Sequence, residues 1–251
     1  MAPALVMLHG FTHTGASWGA VIDALPAGYR PLAPDIRGHG AGSAALPVSL
    51  SAVIEDLAAL APPSFELVGY SMGGRIALHA PLAPALRGRV ERLVLIGASP
   101  GIEAAGERAA RASADEALAG EIEALGVAEF AQRWARTPVL ADQPTAVRER
   151  AHADRLRHAS TAGLAAALRG FGTGRLLSLW GRLGELALPV SLIVGERDGK
   201  FRGIAEAMAE RLPDASVTVV PGAGHAVHLE APSAVAAAIA GRVQRPDALS
   251  I

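Results

Sequence analysis

Ser71, Asp198 and His225 are the residues whose types and order allow nucleophilic or proton-transfer chemistry. Ser71 lies in Gly69-Tyr70-Ser71-Met72-Gly73, after the apolar run Phe65-Glu66-Leu67-Val68 and before the helical stretch Gly74-Arg75-Ile76-Ala77-Leu78-His79. A strand, then G-x-S-x-G, then a helix is the context of a nucleophile elbow, a tight strained turn that thrusts the serine oxygen out above a sheet. Both glycines are needed because a side chain at either would crowd the turn. With 28 glycines in the chain, the pentapeptide alone carries little weight. An acid and a histidine in matching contexts give it weight. Asp198 follows the apolar run Val190-Ser191-Leu192-Ile193-Val194, and His225 follows Val217-Thr218-Val219-Val220 and the turn Pro221-Gly222-Ala223-Gly224. In such a set the imidazole takes the serine proton, and the carboxylate fixes its tautomer and stabilises the imidazolium.

Each residue has a plainer reading. The pentapeptide can be a simple strand-to-helix turn, Asp198 a helix N-cap and His225 a structural loop residue. His228 and Glu230 follow closely, and His225 is preferred because it directly follows the Gly-rich turn. Three such residues in order, each at a strand end, favour a working triad.

The elements that must carry these residues alternate. Strands are expected at about 4–9, 29–34, 64–69, 91–97, 190–195 and 216–221, with helices at about 16–25, 50–60, 72–83, 201–211 and 232–242. This is the pattern of a parallel sheet covered by helices. Pro81 and Pro84 mark the end of the elbow helix or a kink in it. Residues 101–184 differ, being rich in Ala, Arg and charge runs, with short helices expected at 104–119, 119–124, 126–136, 144–158 and 161–170. Both strand blocks are needed for one sheet, so this stretch is expected to be a helical cap inserted into a core of residues 1–100 and 185–251. Such lids exclude water and shape a pocket.

Composition narrows the function classes. The 251 residues are 51% hydrophobic with a formal net charge of −1, which supports an ample core and gives no field to attract nucleic acid or an anionic membrane. No apolar stretch approaches a membrane span, and no basic segment precedes the first apolar run, so neither a span nor a signal peptide is expected. With no cysteine there is no disulfide framework, in keeping with a cytoplasmic protein. No His or Cys cluster has metal-ligand spacing and no phosphate-cradling glycine loop is present, so no metal or cofactor is expected. The oligomeric state is left open, a monomer being compatible. Lys200 is the one lysine among 23 basic residues, which singles it out beside Asp198.

The order Ser, Asp, His resembles the α/β-hydrolase triad. In that plan a backbone N–H from the first loop, here His9-Gly10-Phe11-Thr12, joins the N–H after the nucleophile as an oxyanion hole, which implies Phe11 and Met72 as donors. The usual sheet of that fold has two strands upstream of this loop. Without them, six strands all parallel are expected, with the Pro31- and Pro34-containing strand at an edge, where proline is tolerated.

A finer resemblance covers nearly the whole chain. LHGFT at 8–12, GHGAGS at 38–43, GYSMGGRIAL at 69–78, ERAARASAD at 107–115, FAQRWARTPVL at 130–140, GERDGKFR at 195–202 and GAGHAVHLEAP at 222–232 are similar to the 2-succinyl-6-hydroxy-2,4-cyclohexadiene-1-carboxylate synthases, pyruvate-eliminating lyases of menaquinone biosynthesis. GYSMGGR and GERDGKF are the more diagnostic. The resemblance implies a small polycarboxylate substrate and contacts from Arg75, Arg111, Arg157, Trp134 and Tyr70, since an arginine fork grips carboxylate in two places. Arg111 can equally be a helix-surface partner of Glu107 or Asp115, and Arg157 has neighbouring arginines that allow a slip of a residue or two. Lys200 and Arg202 are candidate outer contacts. His13 and Thr14 depart from the small polar residues common in the first loop and are expected to alter the pocket mouth. The implied reaction is Ser71-assisted proton abstraction next to a ketone, followed by loss of pyruvate. An esterase or carbon–carbon bond hydrolase with a covalent Ser71, and a non-catalytic binding relative, are the alternatives on the same scaffold.

Overall fold

A computed structural model describes residues 4–140 and 142–241. Among the described residues six strands form one sheet: β1 Ala4–Leu8, β2 Arg30–Leu32, β3 Phe65–Tyr70, β4 Val90–Ile96, β5 Val190–Gly195 and β6 Ala215–Val220. Their order is β2-β1-β3-β4-β5-β6, and every neighbouring pair is parallel. The chain thus starts at the second position, steps outward to β2, then crosses back to build the rest. The proline-bearing strand lies at the edge as expected, with Pro31 opposite Leu5, but it ends at Leu32, so Pro34 falls outside it.

Side-chain alternation sends each strand's apolar residues to both faces, as a doubly covered parallel sheet requires. Val6, Leu8, Leu67, Leu93, Leu95 and Leu192 meet α2 (Leu50–Leu60), α3 (Met72–His79) and α8 (Gly199–Ala209) on one face. Leu5, Met7, Val68, Tyr70, Val94 and Ile193 face the other way, against α1 (Gly19–Ala24), the one-turn α9 (Val227–Glu230) and α10 (Pro232–Ala240). The elbow helix is shorter than the expected 72–83: it stops at His79, ahead of Pro81.

Between β4 and β5 run α4 (Ala105–Ala124), α5 (Val127–Trp134), α6 (Thr145–Arg155) and α7 (Ala162–Phe171). The two short helices expected at 104–119 and 119–124 are one continuous α4. Gly120 does not interrupt it, because Ala119 and Ile122 bury against Leu164 and Leu168 of α7, and packing outweighs the weak helix propensity of one glycine. This insertion has its own small apolar cluster, and Phe11 of the first loop and Trp134 pack against it. Among the described residues no helix is long and apolar enough to cross a membrane.

Candidate active site

All strands being parallel, their C-terminal ends share one rim, and the loops leaving β1, β3, β5 and β6 meet there. After β3 the chain turns at Ser71 with φ 50° and ψ −106°, a conformation forbidden to most side-chain-bearing residues. The glycines make this turn fit. A Cβ at Gly69 would sit 2.5 Å from the Gly73 carbonyl oxygen, and one at Gly73 would sit 2.3 Å from that of Leu8.

The turn presents Ser71 Oγ 3.2 Å from His225 Nε2, while His225 Nδ1 lies 2.6 Å from Asp198 Oδ2. These contacts set the tautomer: Nδ1–H donates to the carboxylate, and Nε2 is left to accept the serine proton. The other oxygen of Asp198 caps α8 by accepting from Phe201 N–H, so the N-cap and triad readings of Asp198 both hold geometrically. Phe201 lies 4.4 Å from the His225 ring and Gly97 packs beneath it, where a Cβ would come within 3.0 Å of the imidazole. The loop carrying His225 is tied down by Glu230, which accepts from Gly224 N–H and pairs with Arg197 at 2.8 Å. His228 is buried among Trp18, Tyr70 and His13.

Ser71, His225 and Asp198 open onto a cavity of about 1250 Å³ roofed by the helical insertion. Phe11 and Met72 line it beside the serine, in keeping with an oxyanion hole built from their N–H groups. Arg75, one turn along α3, also faces it. Its guanidinium donates to the Phe171 carbonyl at 3.3 Å, its Nε is buried without a partner, and burial followed by the nearby Arg111 charge lowers its pKa to about 10. Among the described residues no ion pair closes on it, and Asp115, the carboxylate near enough to act on its charge, is already paired with Arg111. Arg111 reaches the same cavity while bonded to Asp115 at 2.7 Å, so the helix-pair and pocket placements coexist. Trp134 lines the wall with its ring edge-on to Phe11 at 5.0 Å. Lys200 also lines it, near Phe201.

Two expected contacts fall elsewhere. Arg157 points outward: its side chain is 65% exposed, it lies 3.8 Å from Asp154, and it lines a separate surface hollow with Asp35 and Gly40. α6 ends at Arg155, and the turn that follows carries Arg157 to the outside, leaving Arg155 buried in its stead. Arg157→Ala is expected to leave kcat/KM within about twofold of wild type, because an exposed ion pair contributes little. Tyr70 is also displaced from the cavity wall. As the last residue of β3 it alternates to the opposite sheet face, where its ring packs on Gly10, His225 and His228 and burial raises its hydroxyl pKa well above the ordinary value. Arg202 pairs with Glu206 along its own helix.

The first loop holds the features that sequence reasoning missed. Gly10-Phe11-Thr12-His13 is a β-turn closed by His13 N–H to the Gly10 carbonyl at 3.1 Å, with Thr12 at φ 69°. Positive φ at that position ordinarily calls for glycine, and a β-branched residue there carries roughly 1–3 kcal/mol of strain. His13 and Thr14 turn inward, away from the pocket mouth where they were expected. Both bond to Asp154, His13 through Nδ1 at 3.0 Å and Thr14 through its N–H at 3.0 Å and its hydroxyl. Burial would raise the Asp154 pKa, but these bonds outweigh it and hold the carboxyl at about 2. His158 Nε2–H donates to the Thr12 carbonyl at 2.9 Å while its Nδ1 accepts from Gly40 N–H, and Arg155 Nε donates to Thr12 Oγ1. No spacing rule links residues 12–14 to residues 154–158; only the fold brings them together.

The chain belongs to the alpha/beta hydrolase family, whose family model matches residues 5–238. Within that family its relatives are narrower still. It is 36% identical to 2-succinyl-6-hydroxy-2,4-cyclohexadiene-1-carboxylate synthase of Klebsiella pneumoniae (strain 342), over 95% of this chain and 92% of that protein. The solved structure of MenH from S. aureus superposes with a TM-score of 0.89 at 29% identity, covering 95% of this chain and 92% of that one. A thermophilic esterase from Thermogutta terrifontis shares the architecture at a TM-score of 0.80 and 25% identity, covering 96% and 89%.

Proposed function

We propose that this protein is a carbon–oxygen lyase that eliminates pyruvate from 2-succinyl-5-enolpyruvyl-6-hydroxy-3-cyclohexene-1-carboxylate to give 2-succinyl-6-hydroxy-2,4-cyclohexadiene-1-carboxylate, the compound whose synthase its Klebsiella pneumoniae relative is named. The observation that carries the reading is Arg75: a guanidinium with an unpartnered buried nitrogen, facing the same cavity as the serine. A neutral ester gives such a cation nothing to bind, whereas a substrate with carboxylates on its ring, succinyl and enolpyruvyl groups supplies its counter-charge. Arg111 and Lys200 provide further positive charge around the cavity, and Trp134 provides a flat apolar wall.

In the mechanism, Ser71 Oγ takes the ring proton next to the succinyl ketone as its own proton passes to His225 Nε2. Asp198, bonded to Nδ1, stabilises the imidazolium. The ketone oxygen becomes an enolate, and the N–H groups of Phe11 and Met72 stabilise the charge there. Electrons then return through the ring to expel the enolpyruvyl oxygen. The imidazolium gives back the proton through Ser71, and the enol released becomes pyruvate. An alcohol is a weak base in water. A helical cap over 101–184 that keeps water out strengthens each electrostatic contact inside and makes the step feasible. The substrate is a small molecule, in keeping with a cytoplasmic protein of intermediary metabolism.

The test is pyruvate release from this substrate, with a neutral activated ester as the comparison. Arg75→Ala is expected to lower kcat/KM for the lyase substrate by about 10- to 100-fold, the loss of a charged hydrogen bond of ~1.5–3 kcal/mol, and to leave ester turnover nearly unchanged. Arg75→Lys is expected to restore little, because an ammonium lacks the planar fork. Equal losses on both substrates, or none on either, would remove Arg75 from carboxylate binding.

A further inference from the structure

We propose that the C-terminal end of α6 and the turn after it set the oxyanion hole, with Asp154 and His158 as positioning residues for the Phe11 N–H. The proposal rests on the reading that Phe11 supplies one oxyanion donor.

Phe11 and Thr12 are the two central residues of the Gly10–His13 turn, so the dihedrals of Thr12 determine how Phe11 is presented to the cavity. Thr12 is fully buried and holds φ 69° without the freedom of a glycine. Left to itself, a threonine relaxes to negative φ and carries the peptide with it. The contacts that prevent this come from the inserted helices. His158 fixes the carbonyl side of Thr12, and because both of its ring nitrogens are engaged, its tautomer and ring orientation are fixed as well. Arg155 Nε reaches the Thr12 hydroxyl. One residue further on, Asp154 accepts from His13 and twice from Thr14, so the chain leaving the turn is held by a single buried carboxylate. On the other side His9 fixes the entry: its Nε2 accepts from Ile36 N–H and its Nδ1–H donates to the Gly10 carbonyl. The turn is therefore held from the loop after β2 at its start and from the insertion at its end. Neither Asp154 nor His158 lines the catalytic cavity, so neither has a direct route to substrate.

A residue that only positions a transition-state donor changes kcat and spares KM, because substrate binding does not use the oxyanion contact. His158→Ala and Asp154→Asn are expected to lower kcat for pyruvate release by about 10- to 100-fold with KM within about twofold, the scale on which misplacing a catalytic group costs rate. The asparagine keeps the shape of Asp154 but sets an amide N–H₂ against donors. His158→Gln retains one donor and one acceptor and is expected to recover at least half of the lost rate. The decisive variant is Thr12→Gly, since glycine takes positive φ without restraint. Thr12→Gly/His158→Ala is expected to turn over within about threefold of Thr12→Gly alone. Thermal melts identify which variants are folded, and kinetics are compared only among those.

Wild-type kcat in folded His158→Ala and Asp154→Asn overturns the proposal. So does an unrescued loss in the double variant, which assigns His158 a general structural role. A wild-type protein that releases no pyruvate defeats the lyase reading instead. The same series is then read on p-nitrophenyl acetate hydrolysis, whose tetrahedral oxyanion uses the same Phe11 donor.

Discussion

Ser71→Ala is expected to lower kcat for pyruvate release by about 10³-fold or more, with KM changed less than about threefold. In the proposed mechanism the hydroxyl is the group that touches the reacting proton. His225 Nε2 lies 3.2 Å from the oxygen and also borders the cavity, but Oγ is the atom that links it to the ring proton in that mechanism. Removing Oγ leaves a gap the size of one atom, which a water fills imperfectly because the oxyanion donors are aimed for a different position. The carboxylate contacts of the substrate are untouched, hence the small effect on KM. The same variant separates proton abstraction from acyl transfer when paired with intact-mass measurement of the wild type during turnover. An elimination leaves Ser71 unmodified throughout, whereas a covalent route adds the mass of an acyl group. A Ser71 adduct that forms and decays at the turnover rate would contradict the lyase mechanism, as would a Ser71→Ala variant within tenfold of wild type.

Mild acid is expected to unfold this protein in a window set by histidines. His9, His13, His39, His158 and His228 are all buried around the first loop, and burial, the leading cause for each, lowers each pKa, that of His9 to about 4. The unfolded chain takes up these protons near pH 6.5, and the folded chain does not. Below that pH the unfolded state binds more protons, so stability is full above about 6.5 and falls as pH drops toward about 4. At pH 5 a histidine shifted as His9 is contributes a loss of about 2 kcal/mol. His13, His39, His158 and His228 shift in the same direction and add to that loss, against a whole-domain stability of ~5–15 kcal/mol. Asp154 does not offset the trend: its carboxyl stays ionised down to about pH 2, and the stability it contributes is lost only below about pH 4. Urea unfolding midpoints measured at pH 8, 6.5 and 5 check this directly. A midpoint at pH 5 equal to that at pH 8 would contradict the burial of these rings.

The chain's local signals specified the sheet well because each strand is a short apolar run bounded by turns, and the step from β1 out to Pro31 followed from what proline does at an edge. That Ser71, Asp198 and His225 come together was legible for the same reason: each lies within five residues of the end of its strand, so its position is fixed by its own segment. Arg157 was not legible. Four arginines lie between residues 148 and 157, and which of them faces inward depends on where α6 stops, a boundary set by tertiary contacts with the first loop. Tyr70 had a sequence position beside the nucleophile, but strand alternation sends neighbours to opposite faces, and that signal was available. The histidines around the first loop come from positions 9 to 228 with no common spacing; their proximity is a product of the closed fold alone.

The bonds from Asp154 and His158 to the first loop have a consequence for how this architecture diversifies. An insertion between two adjacent strands looks like a detachable module, free to be exchanged for another roof with a different ligand preference. Here the roof is stitched to the floor. A chimera that imports foreign helices while keeping Thr12 inherits a loop with a conformational debt and nothing to hold it, and would open its substrate range while losing its rate. Exchange succeeds only if the β1 loop travels with the helices, or if position 12 first becomes glycine.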